Sequence, residues 1–410
     1  MFKSLLIAGL FSFGVSAATQ DGLSPLPALN AGAWADLSAL QTIVGNAHYV
    51  GLGESVHATE GYSQAKLRVI KYLIENMGFR AFGIESPWNW AKPTMNYVAS
   101  CQGTPEQAAQ GIFPVWYGQS FIDLLQYLCT YNQQHPQDPV IFFGFDDQNS
   151  PMEMISDLIP RVEKVSPADA DAVKSGLVKC FGYNMTLNDY LKLAGQVEDG
   201  TVKISDADNA SCLAGIDTLD KLITSKSDAT KDDWRWISID AVGIRSQQGE
   251  FYYAKDVVKS YQARDVGMAY DIDAFHDMLA PGKKTILWAH NAHLANNLAA
   301  VPAEQGGFHN MGSYLMQRHG ADYAPIALVG WNVVYHWPGQ GIATIDQPIA
   351  GSGEDLLHAK FAGQAALVDL HQSFFKPGQV YQLWQADMVP AEQYRGLIFL
   401  DHVDPMQAPQ

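Results

Sequence analysis

Short apolar segments recur along this chain, and a charged or imidazole-bearing residue follows most of them. The first is His48-Tyr49-Val50-Gly51-Leu52-Gly53. Arg80-Ala81-Phe82-Gly83-Ile84, Val140 to Phe145, Thr285 to Ala289, Ile326 to Trp331 and Gly396 to Leu400 share its form. Each has the length and the unbroken apolar character of a strand buried on both faces. A helix follows the first strand. Tyr62, Ala65, Val69, Leu73 and Met77 fall on one face of it, and Gly78 stops it. Buried strands separated by helices predict an α/β fold: a largely parallel central sheet flanked by helices.

Residues 150–280 break this pattern. Strand signals are scarce there, and amphipathic stretches such as Ser166 to Lys179 and Asp206 to Ser225 dominate. This region reads as a helical insertion or lid, between an N-terminal part of the core at 18–149 and a C-terminal part at 281–410. Its last helix, through Tyr261-Gln262-Ala263-Arg264-Asp265, is expected to pack back on the core. Residues 1–17 read as a signal peptide: Lys3 is the positive flank, Leu5 to Val15 the apolar stretch, and Val15-Ser16-Ala17 the small-residue cleavage pattern. That apolar run is too short to span a bilayer comfortably, and no other segment approaches ~18 apolar residues. The expectation is a secreted or periplasmic protein without stable membrane insertion.

The four cysteines, Cys101, Cys129, Cys180 and Cys212, fit export, and none lies in a C-x-x-C motif. Pairing of sequence neighbours is the simplest of the three connectivities. Each such bridge closes a loop of about 30 residues, worth roughly 3–4 kcal/mol by chain entropy. The chain has 410 residues, 47% hydrophobic and 17% charged, which suits a large folded core rather than disorder. Its formal net charge of −17 argues against nucleic acid or an anionic membrane as partner. The oligomeric state is not legible.

Polar groups cluster where the strands end. Glu54 and His57 follow the first strand, Glu85 the second, Asp146 and Asp147 the third, and His290 and His293 the fourth. In an open parallel sheet these ends share one edge, where ligands bind. Glu54, His57, Glu85, Asp146, His290 and His293 are therefore candidates for one cleft, although each alone has a plain structural reading as a cap, a loop acceptor or a satisfied core residue. Other signatures are missing: no G-x-S-x-G, no phosphate-binding G-x-x-x-x-G-K-[ST], no third glycine after Gly51-Leu52-Gly53, and no H-E-x-x-H.

Gly53-Glu54-Ser55-Val56-His57 resembles the G-E-x-x-H opening of the erythromycin esterase family, which includes succinoglycan-biosynthesis-like proteins. The likeness runs through Gly78-Phe79 to Glu85 and resumes at Gly144-Phe145-Asp146-Asp147-Gln148, Arg264-Asp265 and Ala289-His290-Asn291-Ala292-His293. The resemblance implies hydrolysis of a cyclic ester, in the type members a macrolide macrolactone. It implies that Glu54 and His57 carry the chemistry, with Glu85, His290 and His293 in the same cleft. Many members place an arginine where this chain has Lys66, and an acid four positions after the histidine, where this chain has Gly61 with Glu60 one earlier. An ammonium cannot make the planar bidentate contact of a guanidinium, which touches macrolide specificity more than hydrolysis.

Ester hydrolysis requires a base, a partner that holds the base, and a positive site for the oxyanion. His57 suits the base. Glu85 or Glu54 is the candidate to hold its other nitrogen. Lys66, His290 or His293 is the candidate to face the developing oxyanion. No cofactor is expected on this reading. The competing enzyme reading is a Zn²⁺ or Mn²⁺ hydrolase, because three histidines and two glutamates also make a ligand set. A non-enzymatic envelope binding protein is the other alternative.

Overall fold

The computed structural model describes residues 22–26, 37–148, 151–226, 232–372 and 374–407; the leader expected at 1–17 lies outside them. Among the described residues the centre is a nine-stranded sheet. Its strands are β1 (Leu23–Leu26), β2 (Tyr49–Leu52), β3 (Phe79–Pro87), β4 (Ile141–Asp146), β5 (Lys284–Trp288), β6 (Tyr323–Trp337), β7 (Gly341–Thr344), β8 (Ala365–Asp369) and β11 (Gly396–Val403). A separate hairpin pairs β9 (Tyr381–Leu383) with β10 (Ala386–Met388). The spatial order is β1-β8-β11-β6-β2-β5-β3-β4, with β7 folded back on β6. From β11 through β4 every neighbouring pair is parallel, whereas β1, β7 and β8 pair antiparallel.

Both faces of this sheet are apolar, which is why its strands read as continuous hydrophobic runs. Phe82, Ile84, Ile286 and Trp288 face one core, with the helix Glu60–Met77 and the helix Gln119–Gln134 packed over them. Their sequence neighbours Ala81, Leu287 and Ala289 face the opposite core beneath the helix Val257–Leu279. The helix Glu60–Met77 buries Tyr62, Ala65, Val69 and Leu73 and ends where Gly78 adopts φ +74°. That left-handed stop costs glycine nothing and other residues a steric clash.

Between β4 and β5 the described residues form helices only, from Pro151–Val165 to Val257–Leu279. Met154, Leu158, Ile216, Leu219, Trp234 and Ile237 give these helices a core of their own. The last of them, Val257–Leu279, packs on the sheet as expected, with Met268, Ile272 and Phe275 against Phe143 and Leu287. The strands β1, β7, β8, β9 and β10 carried no periodic signal that the sequence reading recognised. β9 and β10 have three residues each, β1 contains Ser24-Pro25 and β7 is largely exposed, whereas β8 is a buried apolar run, Ala365 to Val368, of the same kind as the recognised strands and was passed over.

Cysteine pairing follows sequence neighbours: Cys101–Cys129 and Cys180–Cys212 are both closed. The second bridge ties the bend after the helix Ala170–Leu177 to the helix Asp206–Ser225 across a separation of 32 residues. Replacing Cys180 and Cys212 together by Ala is expected to lower stability by roughly 3 kcal/mol, from the loop-closure entropy returned to the unfolded chain. Urea unfolding of the oxidised wild type against the double variant measures it. Equal midpoints would remove the bridge from the stability account.

Candidate active site

Strand β2 ends at a place where only glycine fits. A Cβ on Gly53 would lie 1.9 Å from Asn291 Oδ1. The close approach lets Asn291 stitch the ends of β2 and β5 to the middle of β6. Its side-chain amide donates to Leu328 O at 2.8 Å, its Oδ1 accepts from Leu328 N at 3.2 Å, and its backbone N–H donates to Glu54 O at 2.9 Å. The segment after Gly53 then turns sharply. Ala58 sits at φ +59°, a strained position for a residue with a Cβ. It is held there by backbone hydrogen bonds to Val115, His336 and Met406. His57 is therefore presented by an over-determined loop rather than a free one.

Glu54 is 1% exposed and lies behind His57. His57 Nδ1 meets Glu54 Oε1 at 2.6 Å, and the Trp116 indole N–H donates to the same oxygen at 2.7 Å. On Oε2, Lys66 Nζ donates at 2.5 Å and the Trp288 indole N–H at 3.2 Å. Burial alone would push this carboxyl upward, but the Lys66 ammonium and the His57 bond outweigh it and hold it at about 2. A carboxylate so fixed makes Nδ1 the protonated nitrogen of His57 and turns Nε2 into the acceptor.

A second network lies beyond His57. Strand β3 bulges between Ile84 and Pro87 and turns Glu85 inward. Arg264 grips Asp146 with both arms of its guanidinium, Nε to Oδ1 at 2.9 Å and Nη2 to Oδ2 at 2.6 Å. The same Nη2 also reaches Glu85 Oε1 at 2.9 Å. His293 stands between two carboxylates, with Nδ1 2.9 Å from Asp265 and Nε2 3.2 Å from Glu85. The other Glu85 oxygen accepts the backbone N–H of His290 at 2.7 Å. His290 is different again: Nε2 donates to Ser55 O at 3.0 Å, and Nδ1 accepts from Ala292 N at 3.1 Å. Burial, with the neighbouring imidazoles, depresses it to about 4, so it stays neutral.

His57, Glu85, Arg264, His290 and His293 line one cavity of about 720 Å³. The rest of its wall is mostly apolar: Val56, Phe113, Val115, Trp116, Val257, Phe308 and Trp337 among others. Tyr261 stands at the rim, 42% exposed.

Of the sequence candidates, His57, Glu85, His290 and His293 gather on this cavity wall, while Glu54 lies behind His57 and Lys66 behind Glu54. Lys66 is fully buried beside Glu54, with its ammonium 4.2 Å from the Trp288 ring centre, and it is not on the cavity wall. It faces the carboxylate, so the alternative that put it at an oxyanion is corrected. Of the two glutamates weighed as partner to His57, Glu54 has the contact. Glu60 does not reach the site; it accepts Ser120 N at 3.0 Å. Sequence reasoning missed the roles of Asn291, Asp265 and Trp116. Arg264-Asp265 was visible as a motif, but its partners are 118 and 28 residues away in the chain. Trp88, after β3, is core, packed on Trp236 and Phe275.

The family model described as erythromycin esterase matches residues 74–403. The chain belongs to the erythromycin esterase family. It is 24% identical over 421 residues to "Putative hydrolase YbfO" of Bacillus subtilis (strain 168), covering 93% of this chain and 89% of that one. Among solved structures it resembles a mutant of the erythromycin esterase EreC in its open conformation (TM-score 0.75, 18% identity, 95% of this chain and 100% of that chain). It also resembles a Bacillus cereus protein (TM-score 0.74, 19% identity, 95% and 97%). A succinoglycan biosynthesis protein matches equally well (TM-score 0.74, 19% identity, 95% and 97%). These likenesses make the chain a hydrolase-like protein on the erythromycin esterase fold.

In this erythromycin esterase family member the donor set does not suit a metal. Among the described residues no group of three or more His, Cys, Asp or Glu is arranged to hold an ion. Both ring nitrogens of His290, and both of His293, already have partners.

The His293 site makes a prediction about pH. Burial opposes its charge, but Asp265 and Glu85 outweigh burial and raise the imidazolium to about 10. A histidine raised in the folded state stabilises fully below its unfolded value near 6.5, and that stabilisation is lost as pH rises through about 10. The stability advantage of wild type over His293→Gln is expected to be level below about pH 6, to shrink as pH rises from about 6.5, and to be lost near pH 10. Urea titrations of both proteins across that range measure the gap; a constant gap would mean that His293 is neutral.

Proposed function

We propose that this protein hydrolyses a carboxylic ester or lactone with a water activated by His57. The observation that carries this reading is the Glu54–His57 pair opening onto a largely apolar cavity. Glu54, ionised and held by four donors, keeps the proton on Nδ1. Nε2 then takes a proton from a water as the water attacks the carbonyl carbon, and the imidazolium formed is stabilised by Glu54. The carbonyl oxygen gains charge in that step. Arg264 and His293 supply the positive side of the cavity, preorganised by Asp146, Glu85 and Asp265. His57 then returns its proton to the leaving alkoxide, and the products are an acid and an alcohol.

Neutral His290 acts here as a positioning residue, since its two hydrogen bonds tie the Ser55 carbonyl to the turn after β5. The apolar wall favours a bulky, weakly polar acyl chain or ring, and a macrolide macrolactone is one member of that class. The leader-like segment and the two disulfides support export to an oxidising compartment. No helix among the described residues is long and apolar enough to cross a membrane. We also infer that the helical region between β4 and β5 is an insertion that shapes the substrate entrance through Val257, Val258 and Tyr261.

The test is incubation of purified protein with macrolides, simpler lactones and open-chain esters in isotopically labelled water. Product carrying one labelled oxygen in its new carboxyl group is expected, undiminished by exhaustive dialysis against EDTA. Activity that vanishes on dialysis and returns with zinc or manganese would replace the His57 mechanism with a metal one. No turnover across the panel would favour a binding role.

A further inference from the structure

A second cavity of about 530 Å³ lies on the other side of the loop that carries His57. Val56 borders both cavities, and Ser55 lines this one. Its most unusual wall residue is Glu354, 3% exposed. One oxygen of Glu354 accepts the backbone N–H of Trp384 at 2.6 Å. Among the described residues no lysine or arginine lines this cavity, and burial pushes the carboxyl up to about 7. A buried carboxylate at the wall of a half-open cavity without a side-chain counter-ion is costly, and a cation entering that space lowers the cost.

The remaining walls suit such a cation. Trp331, Tyr335 and Trp384 bring aromatic rings to it. Trp331 is held in plane by His358, stacked 4.3 Å away at 7°, and His358 is in turn bonded to Asp401 at 2.5 Å. Trp384 and Gln385 are the two turn residues of the β9–β10 hairpin, at φ +37° and +74°. Such a turn ordinarily takes asparagine and glycine. Strained placements of this kind gather at ligand sites. Asp346 adds a second negative charge at the mouth, exposed to solvent. A neutral ring would leave Glu354 uncompensated; a quaternary or tertiary ammonium answers both the carboxylate and the aromatic faces.

We propose that this second cavity binds an organic ammonium group, with Glu354 as counter-ion and Trp331 and Trp384 as walls. The ammonium comes either from a free amine or from an amine-bearing arm of the substrate, and only the second source rests on the hydrolase reading above.

The probe is benzyltrimethylammonium chloride, titrated calorimetrically into the full chain, with benzyl alcohol as the neutral control. Saturable one-to-one binding is expected, at least about tenfold tighter than the alcohol, and weakened about tenfold or more by Glu354→Gln. The His57→Asn variant is expected to bind as wild type does, so failure of hydrolysis and failure of this site are separately visible. If the cation raises KM for an amine-bearing ester but not for its neutral analogue, the site holds the substrate's arm. If neither KM moves while binding persists, it holds a free amine. Absence of saturable binding to wild type, equal affinity for the alcohol, or unchanged affinity in a folded Glu354→Gln variant would each overturn the proposal.

Discussion

Replacing His57 by Asn is expected to cut kcat on any ester substrate by about 10²–10⁴-fold while leaving the unfolding transition in place. Asparagine keeps an N–H to offer Glu54 Oε1 but has no basic nitrogen to put where Nε2 stands. The loop does not depend on the imidazole for its shape, because Ala58 is anchored by Val115, His336 and Met406 through the backbone. A steady-state assay beside a thermal melt separates the two effects. A folded variant that keeps more than about a tenth of wild-type kcat would remove His57 from the base role. A sharp drop in melting temperature would instead make its contact with Glu54 structural.

The second large effect is on stability. Lys66→Met leaves Glu54 buried without the ammonium that sits 2.5 Å from its Oε2. Breaking one side of a buried pair typically costs 3–5 kcal/mol, because the remaining charge stays desolvated, so a loss of about that size is expected. Trp116, Trp288 and His57 still donate to Glu54, which argues for the lower end. The double variant Lys66→Met, Glu54→Gln is expected to recover part of the loss, since no lone charge is then buried. Urea unfolding of wild type, both single variants and the double variant completes the cycle.

The pH dependence has a definite sign. Glu54 is depressed to about 2 from an ordinary 4.5, so the stability it contributes is present above pH 4.5 and is lost as pH falls toward 2. A Lys66→Met variant within about 1 kcal/mol of wild type would show that the carboxylate is satisfied by its neutral donors alone.

Much of this site was legible before any coordinates. Strand-end placement brought Glu54, His57, Glu85, His290 and His293 together on paper, because parallel strands aim their C-terminal ends at one edge. The order of the edge was not legible. In the chain β3 and β4 follow β2, but in the sheet β5 lies between β2 and β3. That insertion sets His290 beside His57, with ring centres 5.3 Å apart, and lets Asn291 reach Gly53. Strand order depends on how helices pack over both faces, and no local pattern records it.

What the amino-acid sequence by itself determined is the set of elements and the inventory of the edge. Apolar runs mark strands buried on both faces, helical spacing from Tyr62 to Leu73 marks the helix after β2, and Gly78 marks its stop. These signals are local, because burial and backbone freedom act residue by residue. The pairing inside the edge belongs to the tertiary structure. Lys66, nearly two turns after Glu60 in the same helix, was weighed as a cavity cation and is a buried partner of Glu54, because that helix face turns toward the sheet. His290 and His293 lie three residues apart. One is neutral between two backbone groups, and the other is charged between Asp265 and Glu85. Nothing in their spacing distinguishes them; the charge of an imidazole follows from which carboxylates the fold brings within 3–4 Å, and those come from distant parts of the chain.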